Sequence, residues 1–519
     1  MPGVSEHTEV GSQRDILVKN SIFSSDAASD QTSSVRLTHA LFLLSVVILT
    51  YAPVIVGTYA FLDDYGYLQP ARGGFHWIWT FCASGGRPLL AISHFLSFSM
   101  SSKVSSLGFV RAANVATLCT LAAVIYFALS RAGFPSKLSA LMAFILVTLP
   151  PFQVLAALAT SAGYPLEAAA AGISSFLVMQ STGDAKVFVK LGRLALACSL
   201  LLVGMMVHQN EVMFFWVFVA ILALSPRERE SVVVRKVSYC LLVGAVACIV
   251  EFFIMKLGVA VYGAVAGSGR AGVTHDVFGK ISWFVKEPLL NALNMNSIEP
   301  TGWFAVATGI FIVVGLFFYF GGSLRYRLTM LGMALMLVPL SYLPNLVVVE
   351  SWASYRTLVA LSALLAFYAF LALQGYLQVL RTFSPQFRQR MLLGVVVCWA
   401  IFSGFIATRN LVRYFVEPQV IEYHLLKGHL RKIDLAAVQT IYFIRPNWYD
   451  GVTSVVRYDE FGLPSSCQPW VPEPMVKCAV REIGGDANRI TVVHFSQDEA
   501  GKIPPGAVVI DMKSLKQFR

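Results

Sequence analysis

Apolar runs of about 20 residues recur from Leu37 to Thr408, and a helix of that length crosses the hydrocarbon core of a bilayer. They fall near 37–60, 107–130, 138–160, 163–181, 190–207, 210–225, 237–258, 302–321, 328–346, 356–380 and 391–408, eleven in all. Continuous apolarity, rather than alternation, excludes a transmembrane β-barrel. Only 13% of the 519 residues are charged and 56% are hydrophobic, which excludes a soluble enzyme, a fibre and a secreted disulfide scaffold. The expected fold class is an all-α polytopic membrane protein of about 11 transmembrane helices, with the lipid bilayer as its first partner.

The net charge of +11 does not make this a nucleic-acid binder, because the basic residues sit in short loops between apolar runs. Arg131, Lys137, Lys186, Lys190, Arg193, Arg227, Arg229, Arg235, Lys236, Arg325, Arg327, Arg381, Arg388 and Arg390 fall in one alternate set of loops. The positive-inside rule makes that set cytoplasmic, places the N-terminus inside and puts the C-terminal region outside after an odd number of crossings. Carboxylates are distributed the other way: Asp63, Asp64, Glu167, Glu211, Asp276, Glu287, Glu299 and Glu350 all lie at or near the outer ends of runs. Acids gathered at one mouth of a helix bundle make a candidate active face.

Three regions are expected. Residues 1–36 are polar, without apolar period, and read as a flexible cytoplasmic tail. Residues 37–408 form the membrane domain. Residues 409–519 become polar, with β-type runs at Val438–Ile444, Ile490–Phe495 and Ala507–Asp511 alternating with helical stretches near Pro418–Lys432 and Pro474–Ile483. That alternation predicts a small external α/β domain. Five of the eight cysteines lie inside apolar runs as small core residues; Cys467 and Cys478 share the terminal region, where a disulfide between them is open.

The first candidate site is Phe61-Leu62-Asp63-Asp64-Tyr65-Gly66, where two adjacent carboxylates leave the first run. Such a pair is costly at the end of an apolar helix unless solvated or used, and either residue suits a general base; capping of the next helix is the structural alternative. Arg72 to Phe81, rich in aromatics and bounded by glycines, reads as a helix lying at headgroup depth. Gly85-Gly86-Arg87-Pro88 follows, and the Arg87 guanidinium suits a lipid phosphate. Val207-His208-Gln209-Asn210-Glu211 places His208 and Glu211 on one face, as a polar cluster or, less simply, a metal pair that lacks a third ligand. Glu350-Ser351-Trp352-Ala353-Ser354-Tyr355-Arg356 puts an acid, two aromatics and an arginine in one short loop. Gly267 to Gly272 fits G-x-G-x-x-G but follows a membrane run rather than a strand, so it reads as a hinge and not as a dinucleotide site. Asp459-Glu460-Phe461-Gly462-Leu463-Pro464-Ser465-Ser466 reads as a turn-rich surface segment, either a plain turn with solvated acids, the simpler reading, or a part that helps recognise the acceptor.

The Asp-Asp-Tyr motif at Asp63–Tyr65, with Gly86-Arg87-Pro88-Leu89 after it, resembles the bacterial and phage serotype-converting (Gtr-type) O-antigen glucosyltransferases of the GT-C class. The likeness extends to His208-Gln209, where that family tends to carry Tyr-Gln, and to Arg356 at the start of a late run. It covers about residues 37–408. The resemblance implies a GT-C-like fold in a bacterial inner membrane, a polyprenyl-phosphate-linked sugar as donor, and an envelope glycan such as O-antigen as acceptor. It implies inverting transfer of a hexose, glucose by family habit, on the periplasmic face, with no cofactor expected. It implies an essential carboxylate in the first external loop, Asp63 or Asp64 as base, while the departing phosphate calls for a cation, for which Arg356 and Arg87 are the candidates. Tyr65, Glu167, His208, Gln209, Glu211, Glu350 and Tyr355 would then line the pocket. Two rivals remain at the sequence level. One is a transporter or flippase of a lipid-linked glycan, for which Glu251 and Lys256 inside a run speak. The other is an O-antigen polymerase or ligase.

Overall fold

The structure is a computed structural model that describes residues 33–68, 74–183, 186–224, 230–263, 272–380, 382–447, 455 and 457–515. The expected tail to residue 32 and the glycines from Gly267 to Gly269 lie outside the described residues.

Every one of the eleven apolar runs is helical. In chain order the principal helices are α1 (Ser33–Val56), α2 (Gly74–Ser84), α3 (Pro88–Ser99), α4 (Leu107–Arg131), α5 (Ser136–Val147), α6 (Pro150–Ala157), α7 (Tyr164–Ser181) and α8 (Val187–Met205). They continue with α9 (Phe215–Ala223), α10 (Glu230–Tyr262), α11 (Val277–Phe284), α12 (Gly302–Phe320), α13 (Leu324–Leu340), α14 (Val359–Val379), α15 (Pro385–Asn410), α16 (Glu417–Leu430) and α17 (Pro472–Glu482). The first helix begins four residues before the apolar run does.

Fewer helices have the length and apolarity of a full membrane span than there are apolar runs. Among the described residues, seven helices are long and apolar enough to cross a membrane, and an eighth crossing arises if α5 and α6 count as one. Pro150 and Pro151 explain that pair: proline lacks the N–H and clashes with the preceding turn, so the run bends by 62°. The other three runs fall short because polar or irregular backbone interrupts them. The Tyr164–Ser181 helix carries Glu167 and several serines, the run near 210–225 is split between Gln209–Val212 and α9, and α13 has 17 residues.

The α14 helix organises the bundle. It is apolar all round, and 89% of its apolar window is buried, the pattern of a central helix. Against it lies α12, where a Cβ on Gly375 would overlap the Gly315 carbonyl and one on Gly315 would overlap Ala372. Small residues therefore let the two backbones touch. Because α14 is fixed by its neighbours, the loop at its head, with Arg356, has a fixed position too.

The chain does not break where the polar C-terminal region starts. Helix α15 runs through a π turn at Leu411–Val416 directly into α16. Beyond it, β1 (Thr440–Ile444) pairs in parallel with both β2 (Thr491–Phe495) and β3 (Val508–Asp511), in the order β2-β1-β3. These strands coincide with the three β-type runs. Buried residues of this unit (Tyr423, Leu426, Met475, Val476) share one apolar cluster with Tyr65, Leu68, Phe98 and Leu107. The unit is thus seated on the loops that follow α1 and α3. Cys467 and Cys478 are separate buried thiols.

Candidate active site at one end of the bundle

The site begins where α1 stops. A helix end leaves carbonyls without partners, and here a buried arginine from α4 supplies them. Arg111 donates from Nε to the Val54 carbonyl (2.6 Å), from Nη2 to Gly57 (2.8 Å) and from Nη1 to Tyr59 (3.0 Å). Its guanidinium also stacks 3.9 Å from the Tyr59 ring centroid. The loop is closed from its other side by Asp64, which is wholly buried. Its Oδ2 accepts the Phe61 N–H and its Oδ1 the Thr160 N–H, both at 3.0 Å. Burial pushes the Asp64 carboxyl up to about 6, while Arg111 and the main-chain N–H groups pull the other way.

Asp63, one residue earlier, has the opposite surroundings. Its side chain is 37% exposed and faces Arg356, with Oδ2 3.7 Å from Nη1. Its Oδ1 accepts the indole N–H of Trp470 at 3.0 Å. The preceding residue, Leu62, has φ +49°, a strained conformation for a branched side chain, and its N–H is held by Ser465 Oγ at 3.0 Å. Ser465 in turn donates to Gln419 Oε1 at 2.6 Å. The C-terminal unit therefore fixes the backbone that presents Asp63.

Arg356 sits between two acids. Its Nε lies 3.4 Å from Glu460 Oε1, and its guanidinium lies over the Trp352 ring, 4.6 Å from the centroid. Glu460 is buried and accepts from Ser354 Oγ and from the Tyr355 N–H (3.2 Å), while Asp459 accepts the same N–H at 2.7 Å. Burial and the neighbouring Asp459 push the Glu460 carboxyl well above the usual carboxylate range, against the pull of Arg356 and Ser354. The reading of Asp459-Glu460 as a solvated surface turn is overturned for Glu460. The hairpin pairing Tyr458 with Phe461 lays it on the head of α14, and the Gly462 N–H is anchored on the Tyr414 carbonyl freed by the π turn.

A second polar group lies beside this pair. His208 Nδ1 hydrogen-bonds Glu211 Oε2, and the His208 ring stacks on Tyr164 at 4.4 Å. Gln209 donates to Glu251 Oε1 at 2.7 Å. The charges of both Arg87 and Arg356 reach Glu211 and Tyr164, so the two groups form one electrostatic unit. Within it, Arg87 Nε, Glu167 Oε2 and Glu211 Oε1 are buried with no hydrogen-bond partner among the described residues. Buried polar atoms of that kind are costly unless a ligand engages them. Among the described residues no group of three His, Cys, Asp or Glu side chains is placed to hold a metal ion.

The structure thus brings together Asp63, Arg356, Arg87, Glu167, His208, Gln209 and Glu211. It does not bring in the others. Tyr65 is buried against Tyr423 of α16, with ring centroids 5.9 Å apart. Tyr355 spends its hydroxyl on the Ile298 carbonyl at 2.8 Å and packs edge-on against Phe461. Glu350 accepts a bond from Lys280 Nζ at its main-chain carbonyl, at 2.6 Å. Asp276 and Glu287 serve local roles, capping α11 and accepting from Trp283. Sequence reasoning missed Arg111 and Trp470. Arg111 carries the one available signal, a charge inside an apolar run.

Fold and site together define a helical protein with membrane-length helices and an acid–guanidinium cluster at one end, covered by a C-terminal α/β unit. No protein-family model and no curated protein matches the chain.

Proposed function

We propose that the protein is a GT-C-type inverting glycosyltransferase that moves a hexose from a polyprenyl-phosphate donor to a cell-envelope glycan at a bacterial inner membrane. The observation that carries this reading is the approach of Asp63 and Arg356, far apart in the chain, to 3.7 Å at one end of the bundle. A transfer of this kind needs a base for the acceptor hydroxyl and a cation for the departing phosphate. Asp63 suits the base: it is exposed, oriented by Trp470, and has lone pairs to spare. Asp64 does not, since both its oxygens hold main-chain N–H groups. The acceptor hydroxyl gives its proton to Asp63 as its oxygen bonds to the anomeric carbon. The bond from that carbon to the phosphate oxygen breaks on the opposite face, and the electron pair leaves with the phosphate. Arg356 and Arg87 stabilise the charge that develops there. The partnerless oxygens of Glu167 and Glu211 suit sugar hydroxyls. Under the positive-inside rule this end of the bundle would face the periplasm, where a lipid-borne donor replaces the sugar nucleotide.

The test uses the full chain in lipid nanodiscs with a panel of undecaprenyl-phosphate hexoses and crude envelope glycan. Acceptor-dependent release of undecaprenyl phosphate from one donor is expected. No release from any donor overturns the reading in favour of a transporter or flippase. A diphosphate-linked glycan in the same panel separates single-sugar transfer from a polymerase or ligase.

A further inference from the structure

We propose that an anionic phospholipid occupies a specific site at the end of the bundle opposite Asp63, with one acyl chain lying between α1, α5 and α15. A cavity of about 770 Å³ opens there, walled by Phe42, Val46, Phe144, Val397 and Phe405, with Gly404 allowing the close approach of α15 to Phe144. Its walls are apolar and its mouth is not. His39 and the exposed Lys137 stand at one end, where His39 Nδ1 and Ser136 Oγ share a hydrogen bond of 2.8 Å.

Three observations select the occupant. The chain segments framing the mouth, residues 33–40, 131–140 and 382–392, carry Arg36, Arg131, Lys137, Arg388 and Arg390 and no carboxylate. That field fits a phosphodiester headgroup and disfavours a neutral one. The cavity follows α1 from His39 to Thr50, about 17 Å at the rise of a helix, which matches one leaflet's share of a bilayer core. Its volume lies in the range of sites that enclose a small ligand, and its walls offer an acyl chain apolar contact along that length. The site shares no residue with the Asp63 cluster and does not depend on the sugar-transfer reading.

The test is native mass spectrometry of the full chain released from nanodiscs of equal phosphatidylglycerol and phosphatidylcholine. The wild type is expected to retain one phosphatidylglycerol per chain. Lys137→Gln is expected to lower the preference for phosphatidylglycerol about fivefold, the weight of one basic residue near an anionic headgroup. Val397→Trp, which fills the cavity, is expected to lose both lipids. If Val397→Trp fails to fold, the exposed Lys137→Gln still decides. Retention of no lipid, equal retention of both lipids by the wild type, or an unchanged preference in Lys137→Gln overturns the proposal.

Discussion

Asp63 and Asp64 are neighbours in sequence, yet they belong to two regions built on different terms. Beneath the loop, Arg111, Tyr59, Asp64 and the Thr160 N–H form a floor in which the polar groups of Arg111 and Asp64 meet main-chain atoms. Above it, Asp63, Arg356, Trp352 and Trp470 form a face whose side chains meet one another and solvent. The floor is specified by bonds that local chain geometry demands, because the end of α1 exposes carbonyls that must be satisfied. The face has no such demand. Two acids bracket one guanidinium at distances of 3.7 and 3.4 Å, longer than a tight charge-assisted bond. Adjacent residues of one type therefore divide into a structural carboxylate and one free to act on a ligand.

That division predicts that changes in the face lose rate and changes in the floor lose stability. Asp63→Asn should show the largest effect, a fall of about 10²–10⁴-fold in polyprenyl phosphate release, with its melting temperature unchanged. Arg111→Lys should cost about 3–5 kcal/mol, because an ammonium cannot reproduce a fork that meets three carbonyls. Thermal unfolding in detergent checks this. Asp64→Asn should cost about 1–3 kcal/mol, since one of its two N–H partners then faces an amide NH₂. It should also change a pH dependence. A folded carboxyl held at about 6, above the ordinary 3.8, binds more protons in the folded chain than in the unfolded one. Its contribution is full at acid pH and is lost as pH rises through about 6, so stability should fall across that window in the wild type. Asp64→Asn should flatten the slope, which thermal melts at stepped pH would read. The smallest effect belongs to Trp470→Phe, which keeps the ring and loses the N–H to Asp63. A loss of about fivefold in rate is expected, the worth of one hydrogen bond, with stability held.

The sequence was most legible where structure is periodic and local. Each apolar run became a helix, and Val438–Ile444, Ile490–Phe495 and Ala507–Asp511 became β1, β2 and β3 nearly residue for residue. Breaks inside the runs were legible in part: Pro150–Pro151 marks the bend of one run, but the apolar pattern gives no sign of the break after Val212. At the site, short motifs singled out Asp63 and Arg356, but no spacing says that two positions so far apart will meet. Glu460 looked like a solvated turn because its acid and glycine neighbours are turn-like; its burial comes from docking on the head of α14. Trp470 gives no local sign of its role, and Arg111 shows only as a charge in an apolar stretch whose partners, the carbonyls at the end of α1, are invisible to composition.

The most direct measurement compares Asp63→Asn and Asp64→Asn in the same nanodisc assay, with release of polyprenyl phosphate normalised to folded protein. Wild-type melting with lost release in Asp63→Asn, and lowered melting with near-wild-type release per folded molecule in Asp64→Asn, is the predicted outcome. Full release by Asp63→Asn, or loss of release in Asp64→Asn without loss of stability, would contradict the account.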